Sequence, residues 1–307
     1  MPARGRYSPY DVTPLERRTG GTEFHVSTAF GRLRCLRGGP PGGDRVTVFV
    51  HGVHDDMDSW GPLMQAAIRG AVDIGPFLFV DLPGFGRSEN LRRRLDLAEV
   101  GDALMKVAVS DLGFGSLRLV GHSMGTLVVA DMAVRHARLV ESLHLVAGPY
   151  YSIVDTINGH PSGGLGGALA AATFGTQYLL AISGRLGVGA LKLASRTAVL
   201  RPLLWPFLAH PWLIRQSVLD HLLADLRPAS FRAATRNAFR YRNGMSWSEV
   251  RCPVWAVYGS ADRLVPTADQ RRLLADLPSA RVTSVADAAH LVHLEQPHAV
   301  LAGLGLT

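Results

Sequence analysis

The chain has 307 residues, a length that suits one large domain or a core domain with an insertion. Hydrophobic residues make up 47% of the chain, a share that excludes a disordered protein. The two cysteines, Cys35 and Cys252, lie far apart in the sequence. This spacing argues against a disulfide framework and against a thiolate metal site.

The positive charge is concentrated in one segment. The net charge of the chain is +7, and residues 157–245 contain ten basic residues against two acidic ones. No nucleic-acid-binding motif accompanies these charges, so we expect no nucleic-acid partner. An anionic substrate, or transient contact with an acidic membrane surface, explains the basic segment better.

In chain order, residues 1–22 show neither periodicity nor the apolar core of a secretory signal, so we expect an N-terminal arm on a cytoplasmic protein. Residues 23–28 and 32–37 flank a glycine-containing turn and predict an edge β-hairpin. Short apolar runs then predict buried strands at residues 46–50, 77–81, 117–120, 143–147, 254–258 and 281–285. Helical spacing occurs between them, at residues 60–71, 95–112, 123–136, 266–277 and 297–304. This alternation predicts an α/β fold with a mostly parallel sheet and helices on both faces.

The alternation stops after residue 152. From residue 153 to residue 245 no strand pattern occurs, and Gly, Ala, Leu and Arg dominate. We therefore predict a helical cap at residues 153–245, inserted into an α/β core formed by residues 23–152 and 246–307. Residues 163–184 are uncharged, but their Gly, Thr, Gln and Ser content favours a cap helix above an apolar pocket over a transmembrane helix.

The candidate nucleophile lies where a predicted strand ends in Gly121-His122-Ser123-Met124-Gly125 and a helical pattern follows. A serine exposed on a strand-to-helix turn needs glycine on both sides, because larger side chains would clash with the crossing backbone. The G-x-S-x-G pattern alone is weak evidence. Its context of strand and helix makes Ser123 the predicted nucleophile.

An activated serine needs a histidine base and an acid that orients the histidine. For this kind of turn the chain order is serine, acid, histidine. Asp262 follows the strand at residues 254–258 and His290 follows the strand at residues 281–285, so both are expected at the same sheet edge as Ser123. Asp287 is a weaker candidate for the acid because it lies too close to His290 in the sequence.

Backbone amides are expected to bind the oxyanion. Met124 directly follows the nucleophile, and Val53 lies in the loop after the strand at residues 46–50. Gly52 allows that loop to approach closely, and His51 is expected to brace it. We therefore predict Val53 and Met124 as the oxyanion donors and place His51 and Gly52 with the substrate-binding residues.

Taken together, these motifs resemble the α/β-hydrolase superfamily, in the branch of serine esterases and lipases with a helical cap. The matching pieces are His51-Gly52, Trp60, residues 81–88, 121–125, 259–266 and 290–297. The resemblance implies an eight-stranded sheet, a cap after the sixth strand, and neither a metal nor an organic cofactor. The serine at position 123 argues against the haloalkane dehalogenases and epoxide hydrolases, which use aspartate there. The chain departs from many relatives at Thr126, where they have a second glycine, and at Asp287-Ala-Ala before His290.

Other polar groups allow two interpretations each. Arg232, Arg236 and Arg240 recur at helical spacing. They are interpreted either as a solvated stripe or as a contact for a carboxylate, phosphate or coenzyme A. His54, Asp55, Asp56 and Asp58 resemble a metal cluster, but they crowd a single loop, so we expect no metal there. We expect His122 to have a packing or hydrogen-bonding role. His293 is expected in the pocket wall or at the surface.

The leading hypothesis is a serine hydrolase that forms an acyl-enzyme on Ser123 and cleaves an ester, thioester or lactone with an apolar acyl part. A carbon–carbon bond hydrolase of a β-diketone-type substrate is an alternative, with a cap arginine binding a carboxylate. A third possibility is a non-hydrolytic enzyme of acyl transfer or cyclisation, or a silent binding module. The sequence leaves the substrate and the oligomeric state open.

Overall fold

The computed structural model describes residues 7–91, 93–160, 164–194, 197, 200–224, 226–238 and 246–306. Its centre is one eight-stranded sheet in the order β1-β2-β4-β3-β5-β6-β7-β8. The strands are β1 (Thr22–Thr28), β2 (Gly31–Gly38), β3 (Arg45–Val50), β4 (Phe77–Val80), β5 (Ser116–His122), β6 (Val140–Val146), β7 (Val254–Gly259) and β8 (Arg281–Val285). The predicted α/β fold with a mostly parallel sheet is confirmed.

The sheet is mixed at one edge only. β1 and β2 form the predicted antiparallel hairpin, and β2 also pairs antiparallel with β4. All pairs from β4 to β8 are parallel. Parallel neighbours need a crossover connection, and helices supply it. The carboxyl ends of β3, β5, β6, β7 and β8 therefore share one edge of the sheet.

Helices cover both faces of this sheet. Those outside the segment between β6 and β7 are α1 (Leu15–Thr19), α2 (Gly61–Arg69), α3 (Leu97–Met105), α4 (Met124–Arg135), α10 (Thr267–Asp276), α11 (Val292–Glu295) and α12 (Pro297–Gly303). The predicted helix at residues 95–112 is α3 followed by a π-helical turn, Lys106–Asp111. β3 contributes side chains to the hydrophobic cores on both faces of the sheet. Val46, Val48 and Val50 pack with α3 and α4, whereas Phe49 packs with α2 and α12.

The N-terminal arm is more ordered than the sequence suggests. It contains α1, and both Tyr7 and Leu15 are fully buried. The backbone amide of Leu15 donates to Asp58 Oδ1 at 2.8 Å, and Tyr7 donates its hydroxyl proton to Glu295. Two isolated anchors carry no periodic pattern, so only the folded protein reveals that this arm is docked.

The segment between β6 and β7 is helical in its described parts. Its helices are α5 (Ser152–Ile157), α6 (Gly164–Ala194), α7 (Leu200–Leu203), α8 (Gln216–Ala224) and α9 (Pro228–Ala238). A sharp kink divides α6 at Gly184, where φ is 62°. Among the described residues, no helix combines the length and the apolar character needed to cross a bilayer. We keep residues 153–245 as the proposed extent of the cap.

Candidate active site

Ser123 lies on a strained turn between β5 and α4. Its φ of 49° and ψ of −122° are unusual for a residue with a side chain. A Cβ atom added to Gly125 would lie 2.2 Å from the carbonyl oxygen of Val50, and one added to Gly121 would lie 2.7 Å from the carbonyl oxygen of Gly125. Both glycines of the G-x-S-x-G pattern are therefore needed so that the backbone can cross here.

The structure brings His290 and Asp262 to this serine. His290 Nε2 lies 2.9 Å from Ser123 Oγ, and His290 Nδ1 lies 3.0 Å from Asp262 Oδ2. Asp262 Oδ1 accepts the backbone amides of Leu264 and Val265, each at 2.9 Å. With one oxygen held by two amides, the carboxylate aims its other oxygen at the imidazole. A histidine that donates from Nδ1 to Asp262 presents an unprotonated Nε2 to the serine hydroxyl.

Asp287, the weaker candidate for the acid, points elsewhere. Its Oδ1 lies 3.1 Å from His210 Nε2, and its φ of 54° turns the chain sharply just before His290. Asp262, rather than Asp287, is the carboxylate in contact with His290.

Val53 and Met124 both border the space in front of Ser123. The amide of Met124 is the first of α4, where an N–H group has no intrahelical acceptor. The loop that carries Val53 approaches the serine closely, since a Cβ atom added to Gly52 would lie 2.9 Å from Ser123 Cβ. Gly52 thus has the predicted close approach. These positions suit two amides that converge beside Ser123 Oγ.

His51, predicted with the substrate-binding residues, lies outside the cavity lining. His51 is fully buried, and it is not among the residues that line the cavity in front of Ser123. Its Nδ1 donates to the carbonyl oxygen of Gly52 at 2.7 Å, and its Nε2 accepts the amide of Leu82 at 2.9 Å. Both ring nitrogens are therefore used by the backbone. His51 braces the loop that holds Val53, as the sequence predicts, and it is not part of the cavity lining.

Glu295 is a buried residue of the site region that sequence reasoning missed. Its Oε2 accepts the amide of Ala289, the residue before His290, at 2.7 Å. Its Oε1 accepts the Tyr7 hydroxyl and the amide of Ala209. Burial raises the pKa of Glu295 to about 7, although the three hydrogen bonds to its oxygens offset part of this rise. In the sequence, Glu295 was indicated by its position in the segment 290–297, which is one of the pieces that resemble the α/β-hydrolase superfamily.

A cavity of about 530 Å³ opens in front of Ser123 and His290, beneath the helices between β6 and β7. This volume lies in the usual range of small-molecule sites, roughly 300–1,000 Å³. Most of its lining is apolar, including Leu127, Ile153, Phe174, Leu204, Phe207 and Phe231. Polar residues line the floor at His54, Asp55, His122, Ser123 and His290, and the side formed by α6 and α9 at Thr176, Gln177, Ser183 and Thr235.

The predicted arginine contacts are not found in this cavity. α9 presents Phe231, Ala234 and Thr235 to it, and neither Arg232 nor Arg236 is among the lining residues. Arg236 is exposed to solvent. A helix that turns one apolar stripe inward places the intervening residues on another face. Arg240 lies outside the described residues. Among those that are described, no arginine or lysine lines the cavity.

The four polar residues predicted as a crowded loop point in different directions. His54 stacks on Phe231 and accepts the amide of Arg227 through Nδ1. Asp56 accepts the amide of Asp58, and Asp58 accepts that of Leu15. Asp55 is linked to Asp56, whose amide donates to Asp55 Oδ1 at 2.9 Å. The same Oδ1 also accepts a hydrogen bond from His221 Nε2 at 2.9 Å.

His122 has the hydrogen-bonding role expected of it. Its Nε2 lies 3.1 Å from the carbonyl oxygen of His290. His293 is fully buried rather than at the surface, with its ring 4.2 Å from that of His122 and 5.0 Å from that of Trp60. Burial lowers the pKa of both histidines well below the usual value, so both are neutral near pH 7.

Most of the chain matches one known protein family. The family model described as "Alpha/beta hydrolase family" matches residues 47–303. The chain belongs to the alpha/beta hydrolase family. The resemblance stated from the sequence motifs is therefore confirmed at the level of the family. Within the described residues, the eight-stranded sheet and the helices between β6 and β7 agree with it.

Curated relatives of this alpha/beta hydrolase carry different names. It is 28% identical over 273 residues to the dihydrolipoyllysine-residue acetyltransferase component of the acetoin cleaving system of Pseudomonas putida, an alignment covering 86% of this chain and 63% of that protein. It is 22% identical over 275 residues to the 2-hydroxy-6-oxononadienedioate/2-hydroxy-6-oxononatrienedioate hydrolase of Cupriavidus pinatubonensis, covering 86% and 84%. The chain spans less than two thirds of the length of the first curated relatives it matches.

Solved structures show the same fold at low identity. The esterase EaEST from Exiguobacterium antarcticum superposes with a TM-score of 0.65 at 15% identity, covering 89% of this chain and 94% of that one. A thermophilic esterase from Thermogutta terrifontis gives a TM-score of 0.62 at 18% identity, covering 92% and 96%. These likenesses show that the fold is shared.

Proposed function

We propose that this alpha/beta hydrolase is a serine hydrolase that cleaves a carboxylic ester, thioester or lactone with an apolar acyl part. One observation carries the proposal. Ser123 Oγ, His290 and Asp262 form a continuous hydrogen-bonded line at the floor of an apolar cavity.

In the proposed reaction His290 Nε2 removes the proton of Ser123 Oγ as the oxygen attacks the substrate carbonyl carbon. Asp262 keeps the imidazole in the required tautomer and stabilises the imidazolium that forms. His290 then gives the proton to the leaving alcohol or thiol, and an acyl-enzyme remains. A water molecule that loses its proton to His290 releases the acid and restores Ser123.

The amides of Val53 and Met124 are the proposed donors to the oxyanion. Two fixed N–H groups in a buried site stabilise the negative charge that develops in the transition state, and such a donor is worth about 3 kcal/mol. The Gly52 contact with Ser123 supports this assignment because it holds the donor loop against the nucleophile.

The cavity lining indicates the class of acyl group. Apolar side chains surround the space above Ser123, and among the described residues no cation lines it. An aliphatic acyl chain would be buried there, and each buried methylene contributes about 0.8 kcal/mol. We therefore infer a preference for medium or longer acyl chains over acetyl.

The test is a series of p-nitrophenyl esters of increasing acyl length. For wild-type protein kcat/KM should rise about fourfold per methylene until the cavity is filled, because about 0.8 kcal/mol corresponds to that factor. Ser123→Ala should abolish turnover, whereas Ser110→Ala, on the exposed π-helical turn, should leave it unchanged. Retained turnover in Ser123→Ala would contradict the proposal.

A carbon–carbon bond hydrolase is the less supported alternative. The Cupriavidus pinatubonensis relative is named as a hydrolase of a dienedioate, which is a dicarboxylate. Such a substrate needs cationic partners, and Arg232 and Arg236 do not line the cavity. Substituting Arg232 or Arg236 should therefore leave KM for ester substrates unchanged.

Acyl transfer in place of hydrolysis has support from a relative's name. The Pseudomonas putida protein is called an acetyltransferase component. Transfer would use the same acyl-enzyme on Ser123, with a different acceptor in place of water. Adding a series of alcohols and thiols to the ester assay separates the two reactions. Formation of the transferred ester at the expense of free acid would favour transfer.

A further inference from the structure

Three polar side chains that the proposed reaction does not use converge behind Ser123. Asp55 follows β3, His122 ends β5 and His293 belongs to α11. Their exposed fractions are 3%, 2% and 0%. One ligand atom from each lies within 4.8 Å of the others. The sequence predicted no metal in the loop of His54, Asp55, Asp56 and Asp58, and this set differs from that loop because its members come from three elements.

The hydrogen bonds of His122 fix where its lone pair points. Its Nε2 lies 3.1 Å from the carbonyl oxygen of His290, and a carbonyl oxygen only accepts. Nε2 therefore carries the proton, and Nδ1 presents a lone pair. That lone pair has no hydrogen-bond partner among the described residues, and Nδ1 lies 3.9 Å from Asp55 Oδ2.

Asp55 Oδ2 is also a buried acceptor without a partner among the described residues. Asp55 Oδ1 already accepts hydrogen bonds from His221 Nε2 and from the amide of Asp56, so Oδ2 is the oxygen left to bind a ligand. Two lone pairs that face each other in a buried space repel unless a positive group lies between them.

His293 completes the set. Within the part of the chain that the structure describes, neither of its ring nitrogens has a hydrogen-bond partner, and its ring lies 4.2 Å from that of His122. A neutral imidazole carries one lone pair, and leaving it unpaired in the interior costs free energy. Three unsatisfied buried groups at one point indicate a ligand rather than an accident of packing.

We propose that Asp55, His122 and His293 bind one divalent transition-metal ion, with Zn²⁺ as the best match. Two nitrogens and one carboxylate oxygen are a common zinc ligand set, at distances of about 2.0–2.2 Å. Ligand atoms of a tetrahedral zinc ion are about 3.4 Å apart, so the 3.9 Å between His122 Nδ1 and Asp55 Oδ2 has to shorten by about 0.5 Å when an ion binds.

The surroundings of the three ligands resemble the outer shell of a metal site. Ligand histidines commonly donate their other ring N–H to a carbonyl oxygen, as His122 does to His290. Ligand carboxylates are commonly hydrogen-bonded too, as Asp55 is to His221. Asp55 and His122 also line the cavity, which gives an ion a path of entry.

An ion at this point would join the elements that hold the proposed oxyanion donor Val53, the nucleophile Ser123 and the base His290. Its role is then to stabilise the arrangement of these loops. The metal site is tested independently of the proposed reaction, because its test measures metal content and not turnover.

The test uses tag-free full-length protein that is stripped with a chelator, titrated with ZnCl₂ and desalted before elemental analysis. Wild-type protein should retain about one zinc per chain. Asp55→Asn and His293→Leu should each weaken zinc binding by more than about 100-fold, since outer-shell changes alone cost about 10–100-fold. His160→Gln, which removes an exposed histidine, is the matched control and should bind like wild type.

Two further readouts keep the proposal testable if a variant folds poorly. Cobalt(II) added to stripped wild-type protein should give the intense visible absorption of a four-coordinate site, and zinc should remove it. Zinc should also raise the unfolding temperature of wild type but not of His293→Leu. Zinc content well below one per chain, or zinc binding unchanged in both variants, would overturn the proposal and leave a buried water between these groups.

Discussion

At the scale of single residues, the region around Ser123 depends on a few buried polar groups with defined partners. Asp262 is held by two amides and turns its free oxygen to His290. Glu295 acts one step away, because it binds the amide before His290 and the N-terminal Tyr7. Both carboxylates orient the loop that carries the proposed base.

Glu295 leads to a prediction about pH. Its folded pKa is about 7, whereas its unfolded value is near 4.5, so the folded state binds the proton more tightly. Between pH 4.5 and about pH 7, the free energy of unfolding should fall as the pH rises, by up to about 1.4 kcal/mol per pH unit. Below and above this window the contribution of Glu295 should be constant.

The measurement is the free energy of unfolding in urea from pH 5 to pH 8 for wild type and Glu295→Gln. The variant should lack this pH dependence, because its amide does not titrate. The free energy of unfolding of the variant minus that of wild type should therefore rise between pH 5 and pH 7. A difference that does not change with pH would contradict the assigned pKa.

At the scale of elements, the turn between β5 and α4 determines where Ser123 lies. A methyl group at Gly125 would meet the carbonyl oxygens of Val50 and His51 at 2.2 and 2.6 Å. β3 and the turn would have to separate, and the loop with Val53 would move with them. The G-x-S-x-G pattern thus encodes a backbone crossing as well as a nucleophile.

Gly125→Ala should therefore lower the free energy of unfolding by several kcal/mol. It should also lower the proposed ester hydrolysis at least about 100-fold, because small shifts of reacting groups have effects of this size. Gly175→Ala is the control: in α6 a Cβ atom there meets nothing within 4 Å. It should stabilise the protein by about 0.5–1 kcal/mol. Equal effects of the two substitutions in urea unfolding would contradict this account.

Some elements of the fold and of the site were predictable from the sequence, and others were not. Buried strands such as β3 and β7 were predictable because parallel strands form short apolar runs. Ser123, Asp262 and His290 were predictable because each follows such a strand at the same sheet edge. The docking of Tyr7 and the inward face of α9 were not, because they depend on contacts between distant segments. For the same reason no local motif reveals Asp55, His122 and His293 as one cluster.

At the scale of the whole molecule, most of the exposed large apolar side chains of the described residues lie in the segment that carries the basic charge. Residues 157–245 carry ten of the basic residues and only two acidic ones. Leu179, Leu186 and Trp212 in this segment are 69%, 87% and 57% exposed. Leu179 also lines the cavity, so the apolar rim continues into the proposed acyl site. We propose transient contact of this surface with anionic lipid.

Sedimentation with vesicles tests this contact. Wild-type protein should bind vesicles containing anionic lipid, and the binding should weaken with salt because exposed charges are screened. Leu186→Ser and Trp212→Ser should reduce binding, whereas Leu274→Ser, an exposed leucine on α10, should not. Equal binding to neutral vesicles at all salt concentrations would contradict an electrostatic contribution.

The central claim is that Ser123 is an activated nucleophile. The most direct measurement is labelling with a fluorophosphonate, which reacts with an activated serine, followed by mass spectrometry of the intact chain and its peptides. Wild type should take up one label per chain, located on Ser123, and His290→Ala should react far more slowly because the base is missing. Ser123→Ala should take up none. Absence of labelling in folded wild-type protein, or an equal label in Ser123→Ala, would contradict the claim.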